Sequence, residues 1–69
     1  MAATATRPER LDISEFAWSH LYKLAGHFAH GLLTRSDLET EIMLVLHEDG
    51  IDLAAAEIEA AHLADILKF

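Results

Sequence analysis

The sequence has no cysteine, which excludes disulfide bonds and thiolate metal sites from all 69 residues. A domain this short buries only about 60% of the surface that its unfolded chain exposes. Small domains therefore usually depend on disulfides, a metal or a partner subunit for stability. With disulfides excluded, we expect tight helix packing, oligomerisation or docking on a larger partner.

Basic residues are scarce: five Lys and Arg stand against twelve Asp and Glu, for a formal net charge of −7. Such a charge opposes binding to DNA or anionic membranes and favours basic partners. Residues 1–33 carry three bases and three acids, whereas residues 34–69 carry two bases and nine acids. We therefore predict an acidic surface on the second half of the chain, formed by Glu39, Glu41, Glu48, Asp49, Glu57, Glu59 and Asp65.

Long apolar runs are also missing, since none approaches the ~18 residues that a membrane span requires. Residues 1–8 lack the apolar core of a secretory signal, so the cytoplasm is the expected location. Hydrophobic residues nevertheless make up 52% of the chain, which is far too many for a disordered acidic protein. The sequence therefore predicts a folded domain.

Proline and glycine are few, one and three respectively, and they mark where helices begin and end. Residues 1–10 are small or polar and contain the proline, which indicates a flexible arm before a domain at 11–69. The first helix is predicted to begin at Asp12, with Ser14 as a rival cap, and to end near His30, before Gly31. Gly26 lies inside this helix and suggests the close approach of another backbone.

The second helix is predicted to begin at Thr34 or Ser36, because Ser36-Asp37-Leu38-Glu39 has the pattern of a capping box. Leu33 and Leu38 are placed as a hydrophobic staple across the alternative cap, Thr34. Gly50 should end this helix, with Ile51 folding back onto Leu46 as in a Schellman motif. A third helix should follow the cap Asp52 and run from Leu53 to about Lys68. The predicted fold is an all-α, compact three-helix domain that self-associates into a dimer or a higher helical assembly.

Self-association is expected because the first and third helices each carry two apolar stripes, where a surface helix needs one. Three short helices cannot bury five stripes in one chain. The predicted interface is therefore formed by Trp18, Tyr22, Ala25, Ala29, Ile58, His62, Ile66 and Phe69. The row Ala56-Ala60-Ala64 is an alternative dimer contact, and the alternative for the aromatic rings is packing over the core with their polar tips in water.

Catalytic and metal chemistry have little support in the sequence. Of the five histidines, His27 and His30 lie three residues apart. A zinc site needs three or four ligands, and the sequence contains no HExxH or similar motif that would supply the others. The serines Ser14, Ser19 and Ser36 lack a glycine-rich elbow or an oxyanion loop. We therefore predict no catalytic residues, no metal and no cofactor.

The function predicted from these patterns is that of a small acidic, non-catalytic protein–protein interaction module, namely an adaptor, a regulator or an inhibitor. In a sharper version, its carboxylates occupy the basic groove of a nucleic-acid-binding partner. The alternatives are a helix-turn-helix-like DNA-binding regulator and an inert stabilising subunit of a larger enzyme. Direct DNA binding is disfavoured because the third helix carries Glu57, Glu59 and Asp65 against Lys68.

Overall fold

The computed structural model describes residues 12–66, and within this range it contains three helices and no strand. The helices are α1 (Glu15–Ala29), α2 (Arg35–Glu48) and α3 (Leu53–Ile66). The predicted all-helical, three-helix domain is thus confirmed. The predicted arm at residues 1–10 and the predicted end of the third helix near Lys68 lie outside the described residues.

The start of α1 is set by Ser14, not by Asp12. The Ser14 hydroxyl accepts a hydrogen bond from the backbone N–H of Ala17 at 3.1 Å. The Ser14 backbone N–H and hydroxyl in turn donate to the two carboxylate oxygens of Asp49, at 2.9 and 2.8 Å. The prediction of Asp12 as the cap is therefore wrong and the rival cap is right, because a carboxylate from the end of α2 holds Ser14 in place.

The start of α2 is a capping box built on Thr34. Its hydroxyl accepts from the backbone N–H of Asp37 at 3.1 Å, and the Asp37 carboxylate accepts from the Thr34 N–H at 3.4 Å. Leu33 packs against the core that contains Leu38, as the staple predicts. The capping box predicted at Ser36 is therefore wrong, because burial of the staple leucines selects the cap two residues earlier.

Both helix stops occur where the sequence predicts them. Gly31 and Gly50 have φ angles of 78° and 101°, in the left-handed region that favours glycine. After α2, the N–H of Ile51 donates to the carbonyl of Leu46 at 3.0 Å, which completes the predicted Schellman motif. The predicted cap of α3 is confirmed as well, since the Asp52 carboxylate accepts from the N–H of Ala55 at 3.4 Å.

The core is assembled on α2, which packs against both other helices and more extensively against α3 than against α1. On α3 the buried face contains Ala56, Ala60 and Ala64, whose small side chains permit the helices to approach closely. The row of alanines that the sequence offered as an alternative dimer contact is therefore filled within one chain. No polar or charged residue in the described part of the chain is buried.

Candidate interaction surfaces

The second apolar stripe of α1 lies largely inside the core. Trp18 and Ala25 are 3% and 0% exposed, and Tyr22 is partly buried and packs against the core. The rings of Trp18 and Tyr22 stack with their centroids 6.1 Å apart. Their prediction as surplus surface is wrong for Trp18 and Ala25. Both rings pack onto the core, as the alternative predicts, but at 3% exposure almost none of Trp18 is left in water. At about 100° per residue, the buried residues of α1, which run around the helix from Leu24 to Trp18, form a single face about 120° wide that one core can bury.

The second stripe of α3, by contrast, faces solvent. Ile58 is 62% exposed and Ile66 is 39% exposed, on the side opposite the buried alanines. Ala55 and His62 lie on the same face and are also exposed. We name these four residues the α3 outer face. Phe69, which was predicted to extend this face, lies outside the described residues. On α1, Ala29 is exposed, whereas Trp18 and Ala25 of the same stripe are buried.

The most exposed large apolar side chain of the described residues is Phe16, at 82%, which the sequence analysis did not select. Phe16 lines two shallow clefts, one where α1 meets α2 and one on α1 itself. One cleft, of about 140 Å³, has Ala17 and Val45 in its lining together with Glu48. The other, of about 240 Å³, is lined by Ser19, His20 and Lys23 as well as Phe16. The available signal was an aromatic residue on an otherwise polar helix face.

The predicted acidic surface is divided by intramolecular contacts. Asp49 binds Ser14, and Glu39 and Asp65 bind the same arginine of α2. The Arg35 Nε lies 2.7 Å from Glu39 Oε2, and its Nη2 lies 3.0 Å from Asp65 Oδ1. The hydrogen bond to Glu39, and after it the one to Asp65, hold the pKa of Arg35 above its usual value. Three of the seven predicted acids are therefore already engaged in contacts within the chain.

The other four acids differ in their surroundings. Glu59 is mostly buried, and its Oε1 lies 3.9 Å from His62 Nδ1. Glu41, Glu48 and Glu57 are exposed and form no ion pair with any residue from 12 to 66. These three carboxylates are the strongest candidates for contact with a basic partner.

An open cleft of about 200 Å³ lies on the surface where α2 and α3 meet. Its lining combines apolar and polar groups, from Ser36, Glu39, Thr40, Met43, Glu57 and Ala60. Of its two carboxylates, Glu39 is already paired with Arg35, whereas Glu57 forms no ion pair within residues 12–66.

Within residues 12–66, no group of three or more His, Asp or Glu side chains is placed to hold a metal ion. Nor does any helix in that range combine the length and the apolar character needed to cross a membrane. His47 uses its ring locally, with Nδ1 3.1 Å from the carbonyl oxygen of Ile51.

No family model, curated protein or solved structure matches this chain.

Proposed function

We propose that this chain is a small acidic, non-catalytic protein–protein interaction module of the cytoplasm, acting as an adaptor, a regulator or an inhibitor. The observation that carries the proposal is the α3 outer face. Ile58 and Ile66 lie on the outer side of α3, about 80° apart around the helix axis and about 12 Å apart along it, while the opposite side is occupied by the core. Apolar side chains exposed in this way favour a second helix or a complementary surface.

The charge around this face supports a basic partner. Between Leu53 and Ile66, α3 has three acids and no Lys or Arg. Of these three acids, Glu57 is exposed and forms no ion pair within residues 12–66. A partner that places apolar side chains on Ile58 and cationic side chains near these carboxylates satisfies both the hydrophobic and the electrostatic requirement. The basic groove of a nucleic-acid-binding protein is one surface of this kind.

The test is to capture the partner through position 58. A photo-crosslinking amino acid replaces Ile58 in the living host, and the crosslinked protein is identified and purified. Binding is then titrated with Ile58→Glu and with a matched control, Leu44→Glu, which changes an exposed leucine of α2. Ile58→Glu should weaken binding at least about 30-fold, as the loss of an interface anchor does, and Leu44→Glu should not. Equal binding by Ile58→Glu and wild type contradicts the proposal.

Two alternative functions predict other results. A helix-turn-helix regulator binds short duplex DNA with an affinity that falls steeply with salt, and its α3 requires cationic side chains for phosphates. An inert subunit of an enzyme crosslinks to that enzyme at a constant stoichiometry, and its partner loses stability when it is removed. Duplex binding at low salt by the purified chain favours the regulator over the interaction module.

We also propose that the chain self-associates. The support for this comes from Phe16, because burying an aromatic side chain that is 82% exposed against a second copy removes a large apolar area from water. With Trp18 and Ala25 in the core, Phe16 replaces them as the candidate anchor on α1.

A further inference from the structure

We infer that two copies of the chain pair through the surface around Phe16, with Lys23 of each copy opposite Glu48 of the other. This inference rests on the proposed self-association and specifies its geometry. The surface is named here the Phe16 patch, and it consists of Phe16 and the two clefts that flank it. It lies on α1 and α2 and is separate from the α3 outer face.

The apolar centre of the patch is Phe16 itself. Its ring is exposed, while the first cleft beside it has the apolar side chains of Ala17 and Val45, which are 3% and 7% exposed, in its lining. A side chain that protrudes beside a shallow cleft with apolar groups in its lining is self-complementary, because the ring of one copy can enter the cleft of the other. Aromatic anchors at the centre of an interface carry much of its binding energy.

The charges on the two sides of Phe16 have opposite signs. At about 100° per residue, Ala17 and His20 turn from Phe16 toward α2, whereas Ser19 and Lys23 turn away from it. Glu48 of α2 therefore lines the cleft on one side of the ring, and Lys23 lines the cleft on the other side. The patch thus has an acidic edge and a basic edge with an aromatic centre.

A twofold axis places unlike charges together on such a patch. In an isologous dimer the axis lies in the plane of the interface and exchanges its two sides. With the axis passing beside Phe16, the two rings meet at the centre, and Lys23 lies over the partner's Glu48. The same contact occurs twice, because the symmetry operation repeats it.

Charge also explains why the occupant is a second copy and why this surface is used. Residues 12–66 contain two Lys or Arg residues, Lys23 and Arg35. Arg35 is bound to Glu39 and Asp65, whereas Lys23 is exposed and forms no ion pair within that range. Two copies of a chain with a net charge of −7 repel each other in most orientations. A contact that brings Lys23 onto a carboxylate of the other copy removes part of this repulsion.

The test is sedimentation velocity over a range of concentrations at an ionic strength of about 0.15 M, where the repulsion between two acidic copies is largely screened. Wild type should form a dimer, and Phe16→Glu should weaken dimerisation at least about 30-fold. The matched control is Ile58→Glu, which introduces the same charge at an exposed apolar position of α3 and should leave the dimer intact. Circular dichroism on every variant checks that the helices remain folded. We expect them to, because the substituted side chains are exposed.

Charge reversal tests the pairing. Lys23→Glu and Glu48→Lys should each weaken the dimer several-fold, because each change acts at two symmetric contacts. The double variant Lys23→Glu with Glu48→Lys should return dimerisation to near the wild-type constant. The control double variant Lys23→Glu with Glu57→Lys has the same net charge but places the new lysine in the cleft between α2 and α3, so it should stay weak.

The possible outcomes distinguish a failure of the Phe16 patch as the interface from a failure of self-association itself. A wild type that remains monomeric at millimolar concentration rules out self-association and the inference with it. A dimer that Phe16→Glu does not weaken overturns the inference and leaves self-association through another surface. If dimerisation depends on Phe16 but the charge swap does not restore it, the pairing of Lys23 with Glu48, and with it the inference, is rejected.

Discussion

At the scale of single residues, the contact between Ser14 and Asp49 joins the start of α1 to the end of α2. A carboxylate beside the last turn of α2 faces the negative end of that helix, which disfavours it. The same carboxylate lies at the positive end of α1 and accepts two hydrogen bonds from Ser14. The favourable contacts outweigh the unfavourable one, because hydrogen bonds to an ionised acceptor are the stronger kind.

This contact predicts a coupling between the two residues. Ser14→Ala should lower the free energy of unfolding by about 1 kcal/mol, since it removes a helix cap and one partner of Asp49. Asp49→Ala should also destabilise the domain, and the double variant should lose less than the sum of the two. The measurement is urea unfolding of all four proteins. Additive losses would show that the two side chains act independently.

A second prediction at this scale distinguishes the two possible caps of α2. Thr34→Ala removes the hydroxyl that accepts from Asp37 and should cost about 1 kcal/mol of unfolding free energy. Ser36→Ala changes an exposed residue inside the first turn and should cost much less. Thermal unfolding of both variants decides between them, and a larger loss for Ser36→Ala would assign the capping role to Ser36.

At the scale of the helix, Gly26 shows how a sequence pattern can mislead. A glycine inside a helix suggests that another backbone passes close by, but a Cβ added at Gly26 would meet no atom within 4 Å. Its φ is not in the left-handed region either, unlike that of Gly50. Gly26 therefore gives α1 only the entropic cost of glycine.

This difference between glycines predicts opposite effects of the same substitution. Gly26→Ala should raise the free energy of unfolding by up to about 1 kcal/mol, because alanine restricts the unfolded chain and suits a helix. Gly50→Ala should lower it by about 1 kcal/mol or more, since its φ of 101° strains any side chain. Both changes are measured by urea unfolding. Destabilisation by Gly26→Ala would show that α1 packs more tightly at this position.

At the scale of the whole molecule, like charges dominate the electrostatics. Residues 12–66 contain eleven Asp and Glu and two Lys and Arg. Compact folding brings these charges together, so the folded state is destabilised by its own repulsion. The ion pairs of Arg35 offset a small part of this effect, since they lie at the surface.

The charge imbalance predicts that salt stabilises the monomer. Raising the ionic strength from about 0.01 M to about 0.15 M shortens the Debye length from about 30 Å to about 8 Å and should raise the thermal midpoint. The scan is run at a protein concentration below the dimerisation constant. Glu41→Lys with Glu57→Lys, at two exposed acids, should reduce the effect of salt. A midpoint that falls with salt would mean that attractive pairs outweigh repulsion.

The sequence by itself determined the three helices, their order and the ends of the first two. These features are local: Gly31 and Gly50 are needed for a left-handed turn, and Asp52 caps the residues directly after it. The stripe Ile58-His62-Ile66 could also be predicted, because helical spacing alone places these residues on one face. Neighbouring residues along the chain contain all the information that such features need.

Only the tertiary structure decided which of two competing signals applied. Ser14 caps α1 because Asp49, 35 residues later, binds it. Trp18 lies in the core because the face of α1 that meets the other helices is wide enough to include it, and Phe16 is left outside for the same reason. Where the local sequence allows two caps or two buried stripes, burial and hydrogen bonds from distant residues decide between them. Both of these exist only once the helices have packed.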